Sequence, residues 1–201
     1  MSRMADTQGP DKSDKSNGYD ALADVFMRAR NTGIGPPVVR EWCKSLPPGA
    51  TVLELGCGFG LISQVIVDAG LTLYGIDASE KMIRAFRVRF PNIQAECAAA
   101  EESAYFDRSF DAIVAWGLLF LLPESTQKTV IAKASQALVP GGRLLFTATE
   151  KPAQWDDGMT GLPSCSLGAE RYDELLAEHS LEVTGHATDI GDNYYFFAVK
   201  K

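Results

Sequence analysis

Apolar residues fall along this chain in two alternating rhythms. Short runs such as "TVLEL" and "LTLYGID" are too brief for helices and sit between glycine or proline breaks. They predict strands at 51–55, 72–76, 93–95, 112–115, 143–149, 181–186 and 193–199. Between them apolar residues recur at helical spacing: Ile62, Val65, Ile66 and Ala69; Met82, Ile83, Phe86 and Phe90; Ile131, Ala134 and Leu138; Tyr172, Leu175, Leu176 and His179. Strands alternating with amphipathic helices predict an α/β fold, a Rossmann-like, doubly wound and mostly parallel sheet with helices on both faces. Two more helices are expected ahead of the first strand, at about 19–30 and 37–46, ended by the breaker "PPG".

Two parts of the second half depart from that rhythm. Residues 150–168, "EKPAQWDDGMTGLPSCSLG", are rich in turn-formers around Trp155 and Met159, and a loop of that length predicts a functional lid. The last two strands are joined by "ATDIGDN", too short for a crossover helix, so the final strand should run antiparallel to its partner. Residues 1–18 are polar, lack the apolar core of a secretory signal and are expected to be a flexible tail. That leaves one domain over 19–201, with 19–48 as an N-terminal helical cap.

Composition narrows the classes of function. At 46% hydrophobic and 22% charged, the 201-residue chain is ordinary for a globular domain, and its longest apolar run is too short to span a membrane. A formal net charge of -7 argues against a nucleic-acid partner; Arg84, Arg87 and Arg89 cluster, but on a helix where a solvated face explains them. The cysteines, Cys43, Cys57, Cys97 and Cys165, form no C-x-x-C and only two histidines exist, so no metal site is signalled. A reducing cytoplasm is the expected location, with the protein a monomer or homodimer.

The chemistry concentrates in "TVLELGCGFG". A strand that breaks into Gly56, Gly58 and Gly60 and then feeds a helix sets backbone N–H groups and a positive helix end beside a ligand. A packing turn would use glycines too. A dinucleotide fingerprint would want glycine at 61, where Leu61 stands, which counts against a nicotinamide-dependent oxidoreductase. At the end of the second strand, Asp77 is placed to accept from the hydroxyls of a ribose, or else to cap the next helix.

Taken together, "VLELGCGFG", "LYGIDASEKMI", "SFDAIVA" and "ALVPGGRLLF" resemble the successive motifs of the class I S-adenosylmethionine-dependent methyltransferases, over about residues 19–201. The resemblance implies a seven-stranded sheet whose last strand is antiparallel, in agreement with the short final connection. It implies that Glu54 binds the amino group of the methionine moiety while the loop through Gly56, Cys57, Gly58 and Gly60 runs beneath it. It further implies Asp77 on the ribose, Ala78 and Met82 beside adenine, and main-chain contacts from Ala115 or Trp116 to the methionine end. Where the family has an acid for the adenine amino group this chain has Ala99; Glu101 substitutes for it, or Glu96 if the loop is shifted, or backbone alone, with Ala100 on the same side. Tyr19 and Arg28 lie where the cap can reach the donor's carboxylate. Carboxylates also suit a ligand carrying a sulfonium and an ammonium.

Methyl transfer from a sulfonium is an in-line displacement, so alignment matters more than a protein nucleophile. Cys57 is accordingly a small turn residue. His186, Tyr194 and Tyr195 flank the last hairpin and are the candidate bases, with core packing as the alternative. The Asn/Asp-Pro-Pro-aromatic turn of base and glutamine methylases is replaced by "AWGLLFLLP", which points to a small-molecule acceptor at O, N or S. Trp116, Phe120, Trp155 and Tyr194 are expected to wall its pocket. The competing functions are a non-catalytic protein that binds S-adenosylmethionine or its product, and the oxidoreductase.

Overall fold

A computed structural model describes residues 14–29 and 33–201. Two helices, α1 (Tyr19–Ala29) and α2 (Pro36–Cys43), precede β1 (Thr51–Leu55). The chain then alternates through α3 (Leu61–Asp68), β2 (Thr72–Asp77), α4 (Glu80–Arg89), β3 (Gln94–Cys97), β4 (Phe110–Ala115), α5 (Glu124–Ala137) and β5 (Leu138–Ala148). A small hairpin, β6 (Ala153–Asp156) and β7 (Pro163–Ser166), leads to α6 (Ala169–Glu178), β8 (Leu181–Thr188) and β9 (Tyr194–Lys200). The seven-stranded sheet has the order β3-β2-β1-β4-β5-β9-β8. Its first five strands are parallel, and β9 runs antiparallel to both β5 and β8.

The period of two along each strand divides the core into two layers. Leu53, Leu55, Ile113, Phe146 and Phe196 point to the face covered by α5 and α6, where Ile131, Tyr172 and Leu176 are buried. Val52, Ala112, Val114, Leu145 and Tyr195 point to the other face, with Val39, Ile66 and Phe86 from α2, α3 and α4. Burial on both sides is why these strands are mainly apolar rather than apolar at alternate positions. Strand order reverses between β1 and β4, and the crevice at such a switch point is where doubly wound sheets bind ligands.

Three expectations change. Residues 14–18 of the supposed tail form a turn: Asp14 Oδ1 accepts from Ser16 N at 2.8 Å and Ser16 Oγ at 2.6 Å, and Tyr19 N donates to Ser16 O. Residues 1–13, and residue 30 at the end of the first expected helix, lie outside the described residues. The segment 150–168, expected to be irregular, carries the antiparallel pair β6–β7. Its turn closes through Asp157, whose N donates to Leu162 O at 2.8 Å and whose Oδ1 accepts from Thr160 N at 2.8 Å. Leu138, placed on the α5 stripe, instead opens β5. Among the described residues no helix is long and apolar enough to cross a membrane.

Candidate active site

The glycine loop is fastened to the end of β2: Gly56 N and Cys57 N both donate to Ile76 O, at 2.8 and 3.0 Å. All three glycines have positive φ, but for different ends. A Cβ on Gly60 would lie 2.3 Å from the Phe90 ring, so this glycine lets α3 pack on α4. A Cβ on Gly58 would meet nothing within 4 Å, and its backbone borders open space. Cys57 is buried, which pushes its thiol far above the ordinary range and removes it as a nucleophile.

Two carboxylates border this loop. Glu54, from β1, is 2% exposed and accepts from Ser63 Oγ of α3. Burial raises its carboxyl to about 8, with the Ser63 bond opposing and the Asp77 charge adding to the rise. Asp77, at the end of β2, accepts from Gly58 N and Ser79 N, both at 2.8 Å. Its carboxyl is raised by burial, and the two N–H donors oppose that. The helix cap falls to Ser79, whose Oγ accepts from Met82 N.

Glu54, Gly56, Cys57, Gly58 and Asp77 line one cavity of about 300 Å³. Ala78, Met82, Ala99, Ala100 and Glu101 continue it on the β2–β3 side, and Tyr19, Trp116 and Phe120 also border it. The structure does not bring all candidates there. Arg28 is exposed on α1, Gly60 serves helix packing, and Ala115 is buried in the core. Trp155 stands behind Phe120, ring centroids 5.7 Å apart. Tyr195 is fully buried, donating to Asp189 Oδ2 at 2.7 Å and accepting from Trp116 Nε1 at 2.8 Å. His186 stacks on Tyr194 and lies 3.3 Å from Asp173, away from the cavity lining. Glu96 accepts from Ser103 Oγ at 2.6 Å and does not reach the cavity, leaving Glu101 as the acid on that side.

Several lining residues had no sequence signal. Lys15, Ser16 and Asn17 belong to the segment set aside as tail, and Lys15 pairs with Glu101 at 3.2 Å and Glu102 at 2.7 Å. Phe26, Phe59, Asp157 and Asn193 also line the cavity. Asp157 reads in the sequence only as an acid in a turn rich in glycine, which does not mark it as facing a ligand. The N-terminal cap is held by Asp20, whose Oδ1 accepts from Ser79 Oγ at 2.7 Å and Lys81 N at 2.9 Å.

A sequence model of the family described as "Methyltransferase domain" matches residues 52–142, the stretch that holds Glu54, the glycine loop and Asp77. That stretch is similar to a methyltransferase domain, and the whole chain resembles the class I S-adenosylmethionine-dependent methyltransferases. Among curated members, the ubiquinone biosynthesis O-methyltransferase of Thiobacillus denitrificans is 27% identical over 59% of this chain and 53% of its own length. The demethylmenaquinone methyltransferase of Renibacterium salmoninarum is 27% identical over 76% of this chain and 65% of its own. The chain thus spans about half the length of most of the curated methyltransferases that it matches. The magnesium protoporphyrin IX methyltransferase of Synechocystis PCC 6803, solved with bound S-adenosylmethionine, shares the fold at 15% identity, with a TM-score of 0.75 over 96% of this chain and 100% of that one. The sheet order and antiparallel β9 are this methyltransferase fold rather than that of a dinucleotide oxidoreductase.

Proposed function

We propose that this chain is an S-adenosylmethionine-dependent methyltransferase that methylates an oxygen, nitrogen or sulfur atom of a small molecule. One observation carries it: a cavity sets a buried carboxylate, Glu54, and a half-buried one, Asp77, on either side of a glycine loop at the ends of adjacent strands.

The lining fits the donor chemically. Glu54, which gives up its proton when a positive charge sits beside it, suits the ammonium of the methionine moiety and Asp77 the ribose hydroxyls, while Ala78, Met82, Ala99 and Ala100 offer an apolar slot for a flat base. Glu101 is the polar group beside that slot. Gly58, with no side chain, lets a ligand approach the main chain. The donor supplies a methyl group already activated on a sulfonium. The protein's own work is to hold Glu54 and Asp77 by backbone and Ser63, to align the acceptor and to exclude water. Phe120 and Trp116 face the cavity as acceptor walls, with Trp155 supporting Phe120. Relatives named for ubiquinone biosynthesis, demethylmenaquinone and magnesium protoporphyrin IX are named for ring compounds, which supports an aromatic or heterocyclic acceptor. Four free cysteines support a reducing, cytoplasmic location.

A thermal unfolding series tests the donor assignment. S-adenosylhomocysteine at about 100 times its Kd should stabilise the fold by about 2.7 kcal/mol. An unfolding midpoint that ignores both donor and product at millimolar concentration would sink the proposal.

A further inference from the structure

Rings from several segments wall the cavity. Tyr19 packs edge-on against Phe26 at 5.2 Å between centroids, Phe26 against Phe59 at 6.2 Å, and Phe120 leans on Trp155 at 5.7 Å. Beside them stands one further carboxylate, Asp157, at the start of the β6–β7 turn. Its Oδ1 is engaged by the turn, accepting from Met159 N at 3.1 Å, Thr160 N at 2.8 Å and Thr160 Oγ1 at 3.0 Å. Its Oδ2 has the Tyr19 hydroxyl, 3.3 Å away, and the side chain is only half-buried. That oxygen keeps a further lone pair to offer, and Asp157 lines the cavity.

The charges around the cavity restrict what can sit there. Among the described lining residues the acidic and basic side chains are Lys15, Glu54, Asp77, Glu101 and Asp157. Lys15 is engaged by Glu101 and Glu102. Under the function proposed above, Glu54 and Asp77 serve the donor. Asp157 is left for the second ligand, and a carboxylated or phosphorylated acceptor would meet like charge with no free cation among the described lining residues to offset it.

Resting on that function, we infer that the acceptor is an uncharged aromatic or heteroaromatic compound bearing O–H or N–H at the atom to be methylated, and that Asp157 accepts its proton. The acceptor's oxygen or nitrogen forms the new bond to the methyl carbon. The carbon–sulfur bond breaks with its electron pair staying on sulfur, and the acceptor's proton passes to Asp157 Oδ2 and on to solvent. Tyr19, by donating to Asp157, holds that carboxylate in place; it is a positioning residue, and it ties the proton acceptor to α1.

The experiment uses the full chain saturated with S-adenosylhomocysteine and measures calorimetric binding of three sets of probes. These are 4-methylcatechol and indole, their carboxylated counterparts 3,4-dihydroxybenzoate and indole-3-carboxylate, and their methylated counterparts 3,4-dimethoxytoluene and N-methylindole. The same compounds are then offered tritiated methyl donor. We expect at least one neutral O–H or N–H probe to bind ten times more tightly than its carboxylated and methylated counterparts. Asp157→Asn keeps the acceptor oxygen that the turn needs, so its affinity for S-adenosylhomocysteine should stay within about threefold. The same variant should lose at least 100-fold in kcat for transfer to the bound probe. Tyr19→Phe should lose less, in kcat rather than in KM. Binding of none of the neutral probes, preference for the carboxylates, or full transfer by Asp157→Asn would each overturn the inference while leaving the donor site standing. Failure of the unaltered protein to bind S-adenosylhomocysteine would instead remove the proposed function and this inference with it.

Discussion

Ser63 donates its hydroxyl to the buried carboxyl of Glu54, joining the first turn of α3 to the end of β1 across the glycine loop. Both residues are shut off from solvent, so each is the other's substitute for water. Ser63→Ala removes that partner and should cost about 1–3 kcal/mol in urea unfolding, because a buried polar group is left unsatisfied. A loss below about 0.5 kcal/mol would mean that water reaches Glu54.

Glu54 also gives stability a pH dependence. In the folded protein it keeps its proton up to about pH 8, while in the unfolded chain it ionises near 4.5. Between those values the folded state binds more protons, so the contribution is full below about 4.5 and is lost as pH rises to about 8. Glu54→Gln cannot ionise. Relative to the unaltered protein, the variant's stability in urea unfolding should therefore rise steadily from pH 5 to pH 8. A constant difference across that range would show Glu54 already ionised in the fold.

Gly58 and Gly60 should separate binding from folding. Gly60→Ala drives a methyl into the Phe90 ring at φ +93° and should destabilise by about 2–4 kcal/mol, as overpacking and left-handed strain combine. Gly58→Ala meets no protein atom, so only the left-handed penalty of about 1–2 kcal/mol applies. Its defect should appear as a tenfold or greater loss of S-adenosylhomocysteine affinity. Equal thermal losses in the two variants would contradict this division.

Asp20 fastens the cap. Asp20→Ala removes the acceptor for Ser79 Oγ and Lys81 N, and hydrogen exchange in α1 should rise at least tenfold while β1 and β4 stay protected. The Lys81 N–H first, and then Ser79, hold the Asp20 carboxyl below its ordinary value. This anchor is present at neutral pH and is lost as pH falls through that depressed value. Unchanged exchange in α1 would show that Tyr19 and Phe26 hold the cap without it.

The burial of Tyr195 and its bonds to Trp116 and Asp189 predict a structural role. Tyr195→Phe deprives Trp116 Nε1 and Asp189 of a partner and should cost about 1–3 kcal/mol, with S-adenosylhomocysteine affinity within about threefold of normal. Loss of methyl transfer without loss of stability would reverse that assignment.

The central strands were legible because β1 and β4 are buried on both faces and so appear as mainly apolar runs, each with one acid, Glu54 and Asp111. Asp77 was legible because the end of the second strand in such a sheet is fixed by topology. The turn at Lys15–Gly18 was not, since it has no apolar residue and takes its place from distant groups, Lys15 on Glu101 and Gly18 against Thr160 and Leu162. The β6–β7 hairpin was hidden for another reason. Its strands are four residues each, and the turn-formers between them carry the signal of an irregular loop. Asp157 was lost with it, because a carboxylate closing a turn and one facing a ligand look alike in sequence.

The most direct test is calorimetric titration of the protein with S-adenosylhomocysteine, beside Asp77→Ala. Micromolar binding that weakens at least 100-fold in the variant, about 2.7 kcal/mol, is the result expected if Asp77 and the glycine loop form the donor site. Equal binding by both proteins would place the donor elsewhere, and no binding by the unaltered protein would contradict a donor site in this cavity altogether.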